Sequence, residues 1–436
     1  MGSAQFSQSN LPQNLADWLA YIEALHPKSI AMGLARVAQV AAQLKLNPEF
    51  PIITVGGTNG KGSTCAMLTE MYLAAGYTVG CYTSPHLTRF NERIKINGLE
   101  VVDAHLCVAF SAVETARGDT QLTYFEMGTL AAMWLFMRTN LEVCILEVGL
   151  GGRLDAVNLF DANCSIVTSI DFDHMEFLGD TRDKIGFEKA GIFRKSKPAI
   201  CGDANPPQSL TRHAQQINAN FAAIGQDFTA KKTTAGWQYV NKSQSKNQTL
   251  ALPKPSLVGD FQLSNAACAV HAVMQLQNIL PVAETSIRAG LQAVQLVGRF
   301  HTLSTEPLII ADVAHNPHAA RSLAHNLETI PCAGRTFAVF GMLRDKDIAG
   351  VCSVMLPHID SWVLADIDHA RGAKAVDLET YLTVLKCQKP ITVCKDLQNA
   401  LTNACQAATK NDRIVVFGSF YTVAAAMDFC HLKTVK

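Results

Sequence analysis

Residues 51–68 read PIITVGGTNGKGSTCAML, with one lysine and two hydroxyls behind a glycine-rich turn. The apolar run predicts a buried strand before the turn, and the pattern after it a helix from Ser63 to Ala75, stopped by Gly76. In that order, backbone N–H groups, a helix N-terminus and an ammonium group can hold a phosphate chain. The usual loop is G-x-x-x-x-G-K-[ST]. Here Val55 takes the first glycine position and Gly62 follows Lys61, so the hydroxyls fall at Ser63 and Thr64. The N–H groups of Thr58, Asn59, Gly60, Lys61 and Gly62 are expected to cradle phosphate oxygens. Lys61 would meet the terminal phosphates, and Ser63 or Thr64 could approach Mg2+.

Other residues could join that chemistry. Glu147 ends the strand-like run in CILEVGLGGRLDA, and ligands of parallel sheets gather at such ends. It suits a hard cation, or a pairing with Arg153. Asp173-His174 closes another strand, where a histidine is either structural or a ligand. Taken alone, Lys189 is a solvated helix lysine and Ser84 a turn serine. Tyr124 and Phe125 either stack on a flat ring or belong to the core. Asn265 at a helix start, Arg299 and Asp312 each have a plain reading as cap, surface arginine and strand-end carboxylate.

The elements that must position these residues alternate along the chain. Residues 11–46 carry two amphipathic helix patterns. PIITVGG, EVCILEVG and CSIVTSI are continuous apolar strands, as in a parallel sheet covered on both faces. Residues 200–250 include a polar, hairpin-like excursion. FQLSNAACAVHAVMQL is a helix. After Val297–Phe300, five strand-like runs follow, mostly with helices between them. The expectation is an α/β fold in two domains. Residues 1–298 would form a P-loop-type, mostly parallel sheet flanked by helices, and 299–436 a smaller Rossmann-like α/β domain.

Composition narrows the partners. Of 436 residues, 48% are apolar and 17% charged, enough for large cores. Lys+Arg and Asp+Glu are 37 each, so no net charge favours nucleic acid or an anionic membrane, and anions must be bound locally. The 13 cysteines include no Cys-x-x-Cys pair, which argues against a zinc cluster or a disulfide framework and fits a reducing cytoplasm. The start, MGSAQFSQSN, lacks the pattern of a signal peptide, and no run is long enough to span a membrane.

GTNGKGS resembles the ATP loop of the Mur-ligase superfamily, which joins carboxylates to amines. SPHL, LTYFE, LEVGLGGRLDA, EKAGIFR, GRF, DVAHNPHA, DKD and GSFYTVA follow in order. Together they resemble the folylpolyglutamate synthases, above all the bacterial bifunctional form that is also a dihydrofolate synthase. The resemblance implies ATP-dependent addition of L-glutamate to dihydropteroate and to reduced folates, through an acyl phosphate. It implies two Mg2+ sites, with Ser84 and Glu147 at the first and His174 at the second, and a carbamylated Lys189. It implies ATP contacts at Thr58–Ser63, Asn265, Arg299 and Asp312, drawn from both domains. It implies dihydropteroate contacts at Ile30, Thr123, Tyr124, Phe125, Glu126, Leu154, Asp155 and Ala156. His315 and Ser419 would help bind ATP or glutamate. A monomer is expected. A peptidoglycan-precursor ligase would share the loop but not LTYFE and GGRLDA. A regulatory GTPase would need a base-specificity motif such as N-K-x-D, which is not seen in its usual place.

Overall fold

The computed structural model describes residues 11–26, 30–242 and 248–434. They pack into two compact units. Unit 1 takes residues up to 170, 177–254 and 264–293; unit 2 takes 171–176, 255–263 and residues from 294 onward. The single boundary expected at 298/299 is therefore corrected: two earlier segments pack with the second unit.

In chain order the elements are α1 (Leu15–Ala24), α2 (Ala35–Gln43), β1 (Ile52–Gly56), α3 (Lys61–Ala74), β2 (Val79–Tyr82), β3 (Ile94–Ile96), β4 (Leu99–Glu100), α4 (Asp103–Arg117), α5 (Tyr124–Phe136) and β5 (Val143–Glu147). There follow β6 (Cys164–Val167), α6 (Met175–Leu178), α7 (Arg182–Ala190), β7 (Pro198–Cys201), α8 (Gln208–Gln216) and β8 (Asn220–Ala223). A meander of β9 (Phe228–Thr233), β10 (Gly236–Asn241) and β11 (Gln248–Leu252) leads to α9 (Phe261–Gln275) and α10 (Glu284–Ala293).

The main sheet of unit 1 has eight strands in the order β4-β3-β2-β5-β1-β6-β7-β8. The six neighbours from β2 to β8 pair in parallel, and β3 pairs antiparallel with both β2 and β4. β1 lies in the middle, in register with β5 and β6, and all five of its residues are buried. That is why its sequence is apolar throughout rather than alternating. The excursion after residue 200 is more regular than its sequence indicates. It contains β7, α8 and β8, then a three-stranded antiparallel sheet ordered β11-β10-β9. β10 buries Trp237 and Tyr239, and its intervening polar residues had masked the strand pattern.

Unit 2 continues with β12 (His301–Thr305), β13 (Leu308–Asp312), α11 (Pro317–Thr329), β14 (Thr336–Phe340), α12 (Ile348–Met355), β15 (Ser361–Ala365), α13 (Ala375–Val384), β16 (Ile391–Cys394), α14 (Leu397–Ala407), β17 (Arg413–Phe417) and α15 (Phe420–Thr434). Its six strands are ordered β12-β13-β17-β14-β15-β16. β12 pairs antiparallel with β13, and the other pairings are parallel, with β14 and β17 wholly buried. Each unit has its own apolar core, around Phe110, Met133 and Phe136 in the first and Phe340, Trp362 and Phe417 in the second.

Candidate active site

The phosphate loop joins β1 to α3. Gly57 has φ of 141° and Gly60, at the helix N-cap, φ of 89°. Side chains disfavour this backbone region. Space forbids them too: a Cβ at Gly57 would strike Thr168, and one at Gly60 the Asn265 side-chain amide. α3 starts at Lys61, two residues earlier than expected. The first N–H groups of a helix have no partner inside it, so its start is a natural anion site.

Part of the expected cradle is already occupied. The Thr58 N–H donates to the Ser169 carbonyl at 2.8 Å, and the Asn59 N–H to Ser169 Oγ at 3.0 Å. Thr168 Oγ1 donates to the Asn59 carbonyl at 2.6 Å. The reason is the parallel neighbour β6, whose C-terminal end carries Thr168-Ser169 directly against the loop. The N–H groups of Thr58 and Asn59 are thus engaged by the neighbouring strand end. The hydroxyls of TSI were the signal in the sequence, but pairing across the sheet decides their target. Lys61 Nζ donates to the carbonyls of Gly57 at 3.1 Å and Thr58 at 3.2 Å.

Glu147 ends β5 with its Cα in register with Val55 of β1, so the carboxylate and the loop share one sheet end. It is 5% exposed, and one of its oxygens accepts the Ser84 N–H at 3.1 Å. Ser84 follows β2, on the other flank of β5. Asn265 contacts Gly60 from α9 and is the fifth residue of that helix, not its first as its sequence suggested. The helix begins earlier because Phe261–Ser264 already adopts its turn. Lys189 sits near the end of α7 and is 3% exposed, in place of the solvated position its sequence allows.

No group of three or more His, Cys, Asp or Glu that could hold a metal ion occurs among the described residues. Glu147 with nearby hydroxyls nonetheless fits Mg2+, which is typically held by one or two carboxylates, waters and substrate phosphates.

The residues expected at the acceptor also lie in unit 1. Leu154 accepts the Gly33 N–H, which brings the loop after Ile30 to the LDA turn. Ile30 itself is half-buried. Asp155 is buried, and its two oxygens accept N–H groups from Leu150 at 2.8 Å and Val157 at 3.0 Å. Burial outweighs these bonds and the charge of Lys61, raising its carboxyl to about 7. Ala156 is buried and Leu154 exposed.

Thr123 and Glu126 turn inward. Thr123 Oγ1 accepts the Glu126 N–H, Glu126 accepts the Thr123 N–H at 2.8 Å, and Arg36 pairs with Glu126 at 2.8 Å. This is the capping box of α5. Tyr124 stands edge-on to Phe90, and Phe125 packs near Tyr82 and over Gly149. The aromatics therefore form a wall with their neighbours.

Unit 2 holds the remaining residues. Asp312 ends β13, buried, and accepts the N–H groups of Phe300 and Ala314, each at 2.9 Å. Burial raises its carboxyl against the opposing charge of Arg299. The Arg299 guanidinium lies 5.6 Å from the Phe420 ring centroid. Ser419 is buried and its Oγ accepts the Tyr421 N–H at 3.2 Å.

Asp173 and His174 also belong to this unit. Lys346 Nζ donates to Asp173 at 2.6 Å and lies 3.1 Å from His174 Nε2. His315 Nε2 is 3.6 Å from Asp173, and Asn316 donates to it at 3.4 Å. Burial would raise Asp173, but His315, Lys346 and His174 together hold it well below the usual carboxylate range. Lys346 was visible only as part of DKD, with no role attached.

Comparison with known proteins agrees along the chain. Residues 55–273 match the Mur ligase middle domain, and 298–420 the glutamate ligase domain of Mur ligases. A dihydrofolate synthase/folylpolyglutamate synthase of Escherichia coli (strain K12) is 43% identical over 415 residues, covering 95% of each chain. The structure of E. coli FolC in complex with DHPP and ADP superposes with a TM-score of 0.92 at 42% identity, covering 98% of this chain and 100% of that one. A bifunctional folylpolyglutamate synthase/dihydrofolate synthase with Mn, AMPPNP and L-glutamate bound superposes at 0.89 and 42%, with the same coverage. With its phosphate loop, its buried strand-end carboxylate and a relative matched over 95% of its length, the chain belongs to the dihydrofolate synthase/folylpolyglutamate synthase family of Mur-type ligases.

Proposed function

We propose that this chain is an ATP-dependent carboxylate–amine ligase. It adds L-glutamate to 7,8-dihydropteroate, giving dihydrofolate, and to the γ-carboxyl of reduced folates, giving folylpolyglutamates. ADP and phosphate are the other products. The observation that carries this reading is Glu147 beside Ser84 at the same sheet end as the Lys61 loop.

The chemistry is acyl transfer through a phosphorylated acceptor. The acceptor carboxylate attacks the γ-phosphorus of ATP, and the bond to the β-bridging oxygen breaks. The α-amine of L-glutamate then attacks the acyl carbon, phosphate leaves, and the amine loses a proton. Lys61 leaves the Gly57 and Thr58 carbonyls and follows the transferring phosphoryl group, while the start of α3 binds its oxygens. Mg2+ at two sites would neutralise phosphate charge. Ser84 and Glu147 are suited to the first site and His174 to the second. Lys189, carbamylated by CO2, would add a carboxylate-like pair of oxygens.

Thr58, Asn59, Gly60, Gly62, Ser63, Asn265, Arg299 and Asp312 serve ATP. Thr58 and Asn59 act by fixing the loop. Ile30, Thr123–Glu126 and Leu154–Ala156 serve the acceptor, with Thr123 and Glu126 as the scaffold. His315 and Ser419 serve glutamate or ATP. The protein works as a cytoplasmic monomer. No helix among the described residues is long and apolar enough to cross a membrane.

Phosphate release from Mg-ATP and L-glutamate tests the reading, with dihydropteroate or tetrahydrofolate added separately. Release with both, each with a glutamate-extended product, is expected. Release with tetrahydrofolate alone overturns the dihydropteroate assignment, and release with neither overturns both.

A further inference from the structure

Arg93 ends a short 3-10 turn, Phe90–Arg93, directly before β3, and is 9% exposed. Its carbonyl accepts the Thr83 N–H at 2.8 Å, which fixes it beside the end of β2 where Ser84 begins. The guanidinium lies 5.3 Å from the Phe90 ring centroid and 5.4 Å from that of Tyr124. Its Nε–H donates to His86 Nδ1 at 2.8 Å.

Among the described residues it has no carboxylate partner, and the nearby acids are engaged elsewhere. Glu92 accepts the N–H groups of Leu87, Thr88 and Arg89. Asp103 takes Arg89 and Asn91, and Glu126 takes Arg36 and the Thr123 N–H. A buried guanidinium without an anion is destabilising. The aromatic flanks offset part of that cost but leave its charge unneutralised. His86 accepts through Nδ1, so the neutral ring carries its proton on Nε2, and that N–H has no partner among the described residues.

We propose that Arg93 and His86 form a subsite for the carboxylate of the acceptor, Arg93 as counter-ion and the His86 Nε2–H as second donor. The inference rests on the ligase reading and deepens it. The flanking Phe90 and Tyr124 rings suit a flat benzoate. Tyr124 is also the first residue of α5, so the subsite adjoins the proposed acceptor wall. The Thr83–Arg93 bond keeps the subsite next to Ser84, whose N–H donates to Glu147.

The test is equilibrium binding to the full chain of dihydropteroate and of its neutral carboxamide analogue, with AMPPNP as a control. The wild type should prefer the acid by about tenfold or more. Arg93→Met should weaken the acid by about tenfold to a hundredfold, leave the amide within about threefold, and leave AMPPNP unchanged. Equal loss of acid and amide would mean that Arg93 only packs the wall, and would overturn the subsite. Loss of AMPPNP with the acid preference intact would assign the anion to phosphate instead. If Arg93→Met does not fold, Arg93→Lys and His86→Asn carry the same comparison, each expected to reduce the acid preference. Phosphate release by the wild type separates the two levels. No ligation with any acceptor sinks the ligase reading, whereas ligation with an acid preference that survives in the variants sinks only this subsite.

Discussion

Asp155 is a buried acid that feels the charge of Lys61 in the phosphate loop. Its carboxyl is raised from 3.8 to about 7, chiefly by burial. Below pH 3.8 the group is protonated whether folded or unfolded and imposes no penalty. As pH rises from there to about 7, only the unfolded chain readily loses the proton, so folding stability falls. Over that window the loss is up to about 4 kcal/mol. Asp155→Asn should remove the slope. It will also cost about 1–3 kcal/mol at all pH values, because an amide cannot accept from both Leu150 and Val157. Urea unfolding at pH 5 and pH 8 should therefore show the variant's deficit shrinking as pH rises; a constant deficit would sink the assignment. Glu147 and Lys61 were legible because strand ends and glycine loops announce themselves. The burial of Asp155 was not, since it depends on how the turn from Gly149 to Ala156 folds back on itself.

Helix α5 shows how an element's first turn can hold the proposed acceptor wall in place. Its first turn is closed by Thr123 and Glu126, tied in turn to Arg36. Thr123→Ala should lower stability by about 1 kcal/mol in urea. It should also weaken acceptor binding more than nucleotide binding, because Tyr124 and Phe125 follow the cap. Unchanged acceptor binding would show that the wall is held by the core alone. T-Y-F-E has the form of a capping box, yet its residues were read as pocket contacts, because pattern does not say which way a side chain faces. Alternation of strand and helix was plain in the sequence because parallel strands are apolar throughout. The β9–β11 sheet was less so, since an antiparallel meander with one polar face mimics a loop.

At the scale of the molecule, two cores in one chain mean that heat need not unfold it in one step. A ligand that binds only folded chain adds stability by mass action, about 2.7 kcal/mol at a hundred times its Kd. Calorimetry with Mg-AMPPNP should move an unfolding transition upward by several degrees, and Lys61→Ala should abolish the shift while leaving the unliganded transition close to wild type. An equal shift in the variant would remove Lys61 from the nucleotide site. The family and both sheets could be read from ordered motifs. The packing of residues 171–176 with unit 2 could not, because Lys346, which holds Asp173 and His174, comes 173 residues after Asp173 in the chain. The central place of β1 has one more consequence. Its amides are bonded on both sides, to β5 and β6, so Ile53–Val55 should be among the last to exchange hydrogen for deuterium. The loop that must admit a nucleotide thus hangs from the slowest-opening strand, and its own amides can open and close many times without loosening the sheet beneath.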